Sequence, residues 1–239
     1  MRYRAPSRIS PMAKERPCSF CSIDADNPAI LPWYNIPLLQ TEHFVVVPSI
    51  GAVVPGWVLV LPKVHALSIA EVPRDQRNEL KVLIKCTKNL VEKQFGRATL
   101  FEHGASTRDS LIGCGVDHAH LHIVPLQFSL ISLALSDKVV SWVKRTHAPH
   151  DINDMHSDYL LISEDSFTCV IGHLQQPQSQ YFRRLIANAL GVPDQYNYRT
   201  HSFLSNVRLT MKGILEARSA TEAKSPNILS DGSRLIAAV

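Results

Sequence analysis

No window of the sequence approaches twenty uninterrupted apolar residues, so a membrane-spanning helix is not expected. The opening stretch, MRYRAPSRISPMAKERP, lacks the apolar core of a secretory signal, and a cytoplasmic location is the resulting expectation. Neither sign of charge dominates. A formal net charge of +4, with Arg2, Arg4, Arg8, Lys14 and Arg16 set against Glu15 in the first residues, describes a solvated basic tail better than a nucleic-acid surface. Nucleic acid is therefore not an expected partner. The five cysteines are an odd number in a chain read as intracellular, which argues against a disulfide framework. No internal repeat is present.

What is present is enough for a substantial core: 239 residues, 45% of them apolar, allow one or two domains. HFVVVPSI (43–50) and GWVLVLP (56–62) read as consecutive strands around the turn-prone Gly51 and Pro55-Gly56. After Pro73, Leu80, Leu83, Ile84, Leu90, Val91 and Phe95 recur with helical period, Thr87 in phase with them, until Gly96. ATLFEHG (98–104) is a further strand, and Ala105 to Gly115 is loop. Antiparallel strands with one long helix on a face predict an α+β fold. Beyond Pro125, residues 126–145 are apolar with helical character, YLLISEDSFTCVIGH predicts a hairpin around Glu164-Asp165, and SQYFRRLIANALG predicts a short helix ending at Gly191. Arg183 and Arg184 of that helix could meet phosphate, although a solvated helix side is the commoner place for arginine. The segment from about Ala217, rich in Ser and Ala, is read as a disordered tail.

Chemistry concentrates in DHAHLHIVP, residues 117–125, where His118, His120 and His122 occupy alternate positions. The apolar residues between them alternate with period two, so a strand carrying all three imidazoles on one side is favoured over a helix. Three readings of such a row stand open: hydrogen-bonded structural histidines, a catalytic metal site, or a nucleophile tuned by its neighbours. Upstream, Cys18-Ser19-Phe20-Cys21 is flanked by prolines rather than by a strand and a helix, so half of a metal site is a better reading than a redox pair.

The leading C-x-x-C, the PGWVLVLPKVH stretch, FEHG and the histidine row, in this order, resemble the histidine-triad (HIT) superfamily, whose pattern His-φ-His-φ-His-φ-φ matches His118 to Val124. FEHG and GCGVDHAH are also similar to loops of the galactose-1-phosphate uridylyltransferase branch. The resemblance implies an HIT-like antiparallel sheet with a long helix packed on it, joined to a smaller α/β C-terminal extension. The corresponding divisions are a basic tail at 1–16, a catalytic domain at 17–125, an extension at 126–216 and a tail at 217–239. It further implies an enzyme, a nucleotide hydrolase or nucleotidyltransferase in which His120 attacks the α-phosphorus, its Nδ1–H held by backbone near the first histidine, while His122 stabilises the developing charge. A structural zinc held by Cys18, Cys21, His65 and His118 follows from the same resemblance. So does a nucleotide or nucleotide-conjugate substrate, with a homodimer as the oligomeric option. A nucleotide-binding adaptor without catalysis and a zinc hydrolase built on the three histidines are the rival functions.

Several positions depart from the family pattern. Trp57 stands where many HIT hydrolases have histidine. Ser49 stands where an aspartate often holds the ribose hydroxyls. The phosphate-binding amides correspond to Glu102 or His103 and to Cys114, beside Gly115. The substrate-contacting set expected from the resemblance is thus Ser49, Glu102, His103, Cys114 and Gly115.

Overall fold

The computed structural model describes residues 18–23, 28–113, 115–145, 148–153, 155–165 and 168–222. Eight strands, β1 (Leu39–Gln40), β2 (Phe44–Pro48), β3 (Val58–Pro62), β4 (Ala98–Gly104), β5 (Leu121–Pro125), β6 (Val140–Arg145), β7 (Tyr159–Ser163) and β8 (Cys169–Leu174), form one sheet in the order β1-β2-β3-β5-β4-β7-β8-β6. Every pairing is antiparallel. Among the described residues, four α-helices accompany them: α1 (Arg77–Phe95), α2 (Leu130–Ser136), α3 (Tyr181–Ala189) and α4 (Leu204–Glu222). This is the α+β architecture the sequence predicts, an antiparallel sheet with a long helix packed on it.

Every residue of β2, β3, β4, β5 and β7 is buried, because both faces of the central sheet are covered. On one face, Val46, Val60, Leu100, Leu121 and Ile123 pack with Leu80, Leu83 and Val91 of α1 and with Ile214 of α4. On the other, Leu59, Trp57, Phe101, Val124 and Ile162 pack with Leu130 of α2 and Phe182 of α3. The outer strand β6 carries a mostly exposed pattern, as expected for an edge. The sheet continues across residue 125, since β4 pairs with β5 on one side and with β7 on the other.

The hairpin expected around Glu164-Asp165 is β7–β8, and the helix after Pro73 begins as a 3-10 turn at Arg74–Gln76 before α1 proper. Residues 126–145, read as helical, instead divide into the short α2 and the strand β6. Helix α4 is absent from the sequence reading. Its inward side includes Thr210 and Gly213 besides Val207, Ile214 and Ala217, which hides the apolar stripe. Both polar-looking positions have packing reasons: the Thr210 hydroxyl accepts a hydrogen bond from Gly56 N–H at 2.7 Å, and a Cβ on Gly213 would lie 2.5 Å from the Phe95 ring. Because α4 runs through buried Ala217 to Glu222, the segment from 217 to 222 is helix rather than tail. The basic stretch 1–16 and residues 223–239 lie outside the described residues.

Strand alternation also corrects one site residue. Glu102 shares the α1 face of β4 with Ala98 and Leu100, opposite Phe101. There its carboxylate accepts a hydrogen bond from Ile69 N–H at 2.7 Å and another from the Tyr159 hydroxyl at 2.7 Å. It belongs to the core, not to a substrate site. Complete burial raises its carboxyl from an ordinary 4.5 to about 7, against the lowering effect of the Tyr159 and Ile69 donors, with Glu71 adding repulsion. Between those values the folded protein holds a proton that the unfolded chain releases, so this contribution to stability is fully present below pH 4.5 and is lost as pH rises through about 7. We expect the fall in Tm between pH 5 and 8 to flatten in Glu102→Gln, an uncharged near-isostere. An unaltered pH slope by differential scanning calorimetry would contradict it.

Candidate functional site

Strand β5 begins only at Leu121, so of the three histidines His122 alone lies within the strand. His118 and His120 precede it in irregular backbone. The three rings nevertheless stay together: Phe20 meets the edges of both His118 and His120, at centroid distances of 5.8 and 5.5 Å, and His120 lies 4.8 Å from His122.

Each ring has one nitrogen committed. His118 Nε2–H donates to the Pro62 carbonyl at 2.8 Å, which turns Nδ1 toward Cys18 and Cys21, with both sulfurs 3.4 Å away. His65 Nδ1 stands 3.3 Å from Cys21 Sγ, and the ligand atoms of Cys18, Cys21, His65 and His118 all lie within 4.8 Å of one another. This cluster could hold a metal ion. Burial, a hydrogen bond to Cys18 and the charge of Cys18 push the Cys21 thiol up to about 11; a divalent cation between the sulfurs reverses that preference and favours thiolate.

His120 Nδ1–H donates to the His118 carbonyl at 2.7 Å, which leaves Nε2 with its lone pair. Burial lowers this imidazole to about 4, against the raising effect of that hydrogen bond, so the ring is neutral near pH 7. His122 is arranged the opposite way. Trp57 Nε1–H, which can only donate, points to His122 Nδ1 at 3.0 Å, so the proton of His122 resides on Nε2. The His122 ring stacks on Phe101 at 4.3 Å with 15° between planes, and burial holds it well below its ordinary value.

His120 and His122 border a cavity whose other walls include Phe20, Ser49, Gly51, Val116, Arg183 and Tyr198. Ser49 therefore lines the cavity, and the segment between Cys18 and Cys21 contributes Phe20. His103 lies on the same side of the sheet but behind the cavity, where Nε2 accepts a hydrogen bond from Phe182 N–H at 3.2 Å and Phe101 and Phe182 flank the ring. Burial and the charges at His120 and Arg183 keep it neutral. It supports the site without lining it. Gly115 also stands back from the cavity, with its carbonyl accepting from Arg199 Nη2 at 2.8 Å, while Cys114 lies outside the described residues.

Arg183 is the residue the sequence reading misplaced. It is 2% exposed, not solvated. Its Nε donates to the Tyr196 carbonyl at 2.9 Å, its Nη2 donates to the Gly51 carbonyl, and its guanidinium lies 4.7 Å from the Trp57 ring centre. A Cβ on Gly51 would sit 2.4 Å from Arg183 Nη2 and 2.3 Å from Tyr198 Cβ, so only glycine admits this arginine. Arg184 stays peripheral, over the Tyr196 ring at 3.8 Å. The loop ahead of the histidines is also held from the C-terminal part of the chain: Asp158 accepts hydrogen bonds from Ser106 and Ser110, and Ser179 donates to the Gly113 carbonyl.

Residues 35–129 match the family model of the HIT domain. The chain carries a HIT domain. Among solved structures it is similar to a hypothetical histidine triad nucleotide-binding protein from Sulfolobus tokodaii, with 17% identity, a TM-score of 0.45, and coverage of 88% of this chain and 98% of that one. It is also similar to a HIT family hydrolase from Clostridium thermocellum (20% identity, TM-score 0.35, 47% of this chain and 94% of that one). A third is a Hit-like protein involved in cell-cycle regulation from Bartonella henselae (19% identity, TM-score 0.32, 37% and 67%). No curated protein matches the sequence. Among the described residues, no helix is long and apolar enough to cross a membrane. Three of the departures noted in the sequence, Ser49, Trp57 and His103, therefore lie within this HIT domain, whereas Arg183 comes from beyond it.

The tautomers are open to direct measurement. Nitrogen-15 NMR of the histidines should show Nδ1–H for His120 and Nε2–H for His118 and His122. In Trp57→Phe the His122 signal should shift toward a mixture of both forms, whereas an unchanged single Nε2–H form would show that the indole does not set it.

Proposed function

We propose that this HIT-domain protein is a nucleotidyl hydrolase or transferase in which His120 forms a covalent nucleotidyl intermediate. The observation that carries the reading is the 2.7 Å bond from His120 Nδ1–H to the His118 carbonyl, which leaves a neutral Nε2 at the cavity wall. Nε2 attacks the α-phosphorus of a bound nucleotide. A P–N bond forms, the bond from phosphorus to the leaving group breaks, and the nucleoside monophosphoryl group stays on the ring. Water then attacks the same phosphorus and releases a proton to solvent, the P–N bond breaks, and Nε2 regains its lone pair; another nucleophile in place of water makes the reaction a transfer. His122 Nε2–H donates to a phosphoryl oxygen as charge builds there. Ser49 faces the cavity with one hydroxyl for a sugar or phosphate oxygen.

The Cys₂His₂ set of Cys18, Cys21, His65 and His118 fits a structural zinc: two soft sulfurs and two imidazoles fill a tetrahedron and leave no coordination position for substrate. The bond from His118 Nε2–H to Pro62 presents the correct nitrogen to the metal. A zinc ion held by these four residues would supply folding energy and would fix the segment that carries Phe20, whose ring lies 5.5 Å from that of His120. It takes no part in the chemical steps above.

Incubation of the protein with a panel of nucleotides and nucleotide conjugates should give, by intact-mass spectrometry, an adduct of one nucleoside monophosphate that maps to His120. His120→Ala should lose both adduct and turnover with its Tm kept. Nucleotide affinity by calorimetry with neither adduct nor product would instead identify a binding protein. Cys18→Ser should release zinc, read by elemental analysis, and lower Tm. Zinc retained at full occupancy in that variant would refute the Cys₂His₂ assignment.

A further inference from the structure

On the reading just proposed, we infer that Arg183, delivered by the C-terminal extension, binds the departing group, so that the site selects nucleotides whose leaving group is a phosphate or polyphosphate anion over those that release an amine. Two features of the cavity support this.

The first is the arginine itself. A guanidinium with 2% exposure is costly to bury, and here it is held in one orientation by the Gly51 and Tyr196 carbonyls and by the Trp57 and Tyr198 rings. These two carbonyls and two rings fix the direction in which its N–H bonds point. Its charge reaches the site: Arg183 is among the groups that lower His103, His120 and His122. It faces the cavity between the Ser49–Gly51 segment and Tyr198 and can meet phosphate oxygens there as a planar fork.

The second is the state of His122. Its Nδ1 accepts the indole hydrogen of Trp57, so a second proton on that nitrogen would break the bond. The ring is thus restricted to the neutral Nε2–H form, which donates a hydrogen bond but is a poor proton donor. An amine leaving group must be protonated as its bond to phosphorus breaks. Phosphate and polyphosphate leave as stable anions, need no proton, and are stabilised by a fixed cation. Arg183 and Trp57 thus favour the same class of leaving group, and the guanidinium of the one lies 4.7 Å from the indole centre of the other.

Matched pairs of a nucleoside triphosphate and the corresponding nucleoside 5′-phosphoramidate, releasing pyrophosphate or ammonia, test this on each of the four common ribonucleosides. The wild type should favour the triphosphate in kcat/KM. In Arg183→Met that preference should shrink by roughly 10- to 100-fold whatever loss the two substrates share, with Arg183→Lys intermediate. A wild type that prefers the phosphoramidate, or an Arg183→Met protein of unchanged Tm whose preference is unaltered, overturns the inference. If the variants do not fold, the wild-type preference decides. If the wild type cleaves neither member of any pair, the proposed reaction fails and calorimetry with inorganic tripolyphosphate judges Arg183 separately. Binding by the wild type that is weakened in Arg183→Lys and lost in Arg183→Met sustains its role as an anion site, and no binding by the wild type, or binding unchanged in both variants, ends it.

Discussion

The site depends on one constraint: each histidine of the row has a single ring nitrogen committed to a fixed partner. The Pro62 carbonyl takes His118 Nε2–H, the His118 carbonyl takes His120 Nδ1–H, and the Trp57 indole occupies His122 Nδ1. Three chemically identical side chains thereby differ: His118 turns Nδ1 to two sulfurs, His120 keeps a bare Nε2, and His122 carries its proton on Nε2. Burial lowers all three rings, so the hydrogen bonds, rather than charge, distinguish them. The middle bond also links the cysteine cluster to the cavity, because the residue that faces the two sulfurs is the one whose carbonyl orients His120.

The C-terminal extension is part of the same device. Strand β7 extends the sheet beside β4, and Asp158, just ahead of it, anchors the loop that leads into the histidines. Ser179 and Arg199 bind carbonyls of that loop, and α3 brings Arg183 and Phe182 against the sheet face that carries His122. At the opposite end of the domain, Phe20 reaches the cavity from between the two cysteines. The cavity therefore has walls from three distant stretches of chain, around a sheet buried on both faces.

Much of the frame was legible in the sequence. The β2, β3 and β4 strands follow apolar runs bounded by turn residues, and α1 follows a clear helical period that ends at Gly96, where φ is 96°. Cys18, Cys21, His65 and His118 were assigned together by resemblance, and their ligand atoms do converge. The rest was hidden for identifiable reasons. A period-two pattern predicted one strand through all three histidines, but strand pairing starts only at Leu121, since periodicity reports which side chains share a side and not where hydrogen bonding begins. The inward side of α4 is partly Thr210 and Gly213, which no apolar count would select. Trp57 stood out in the sequence only as a departure from the family pattern, yet its indole N–H is the donor that His122 Nδ1 accepts.

The sequence by itself determined the α+β frame and the order of its motifs, because these properties follow from local periodicity and residue type, whereas the grouping of Cys18, Cys21, His65 and His118 came from the resemblance. Only the tertiary structure decided that Glu102 faces α1, that Arg183 reaches the cavity from beyond the HIT domain, and which nitrogen of each histidine is occupied. Those outcomes depend on partners tens of residues away, such as Ile69 for Glu102 and Gly51 for Arg183, and such pairings exist only once the sheet has closed and α3 has packed against it.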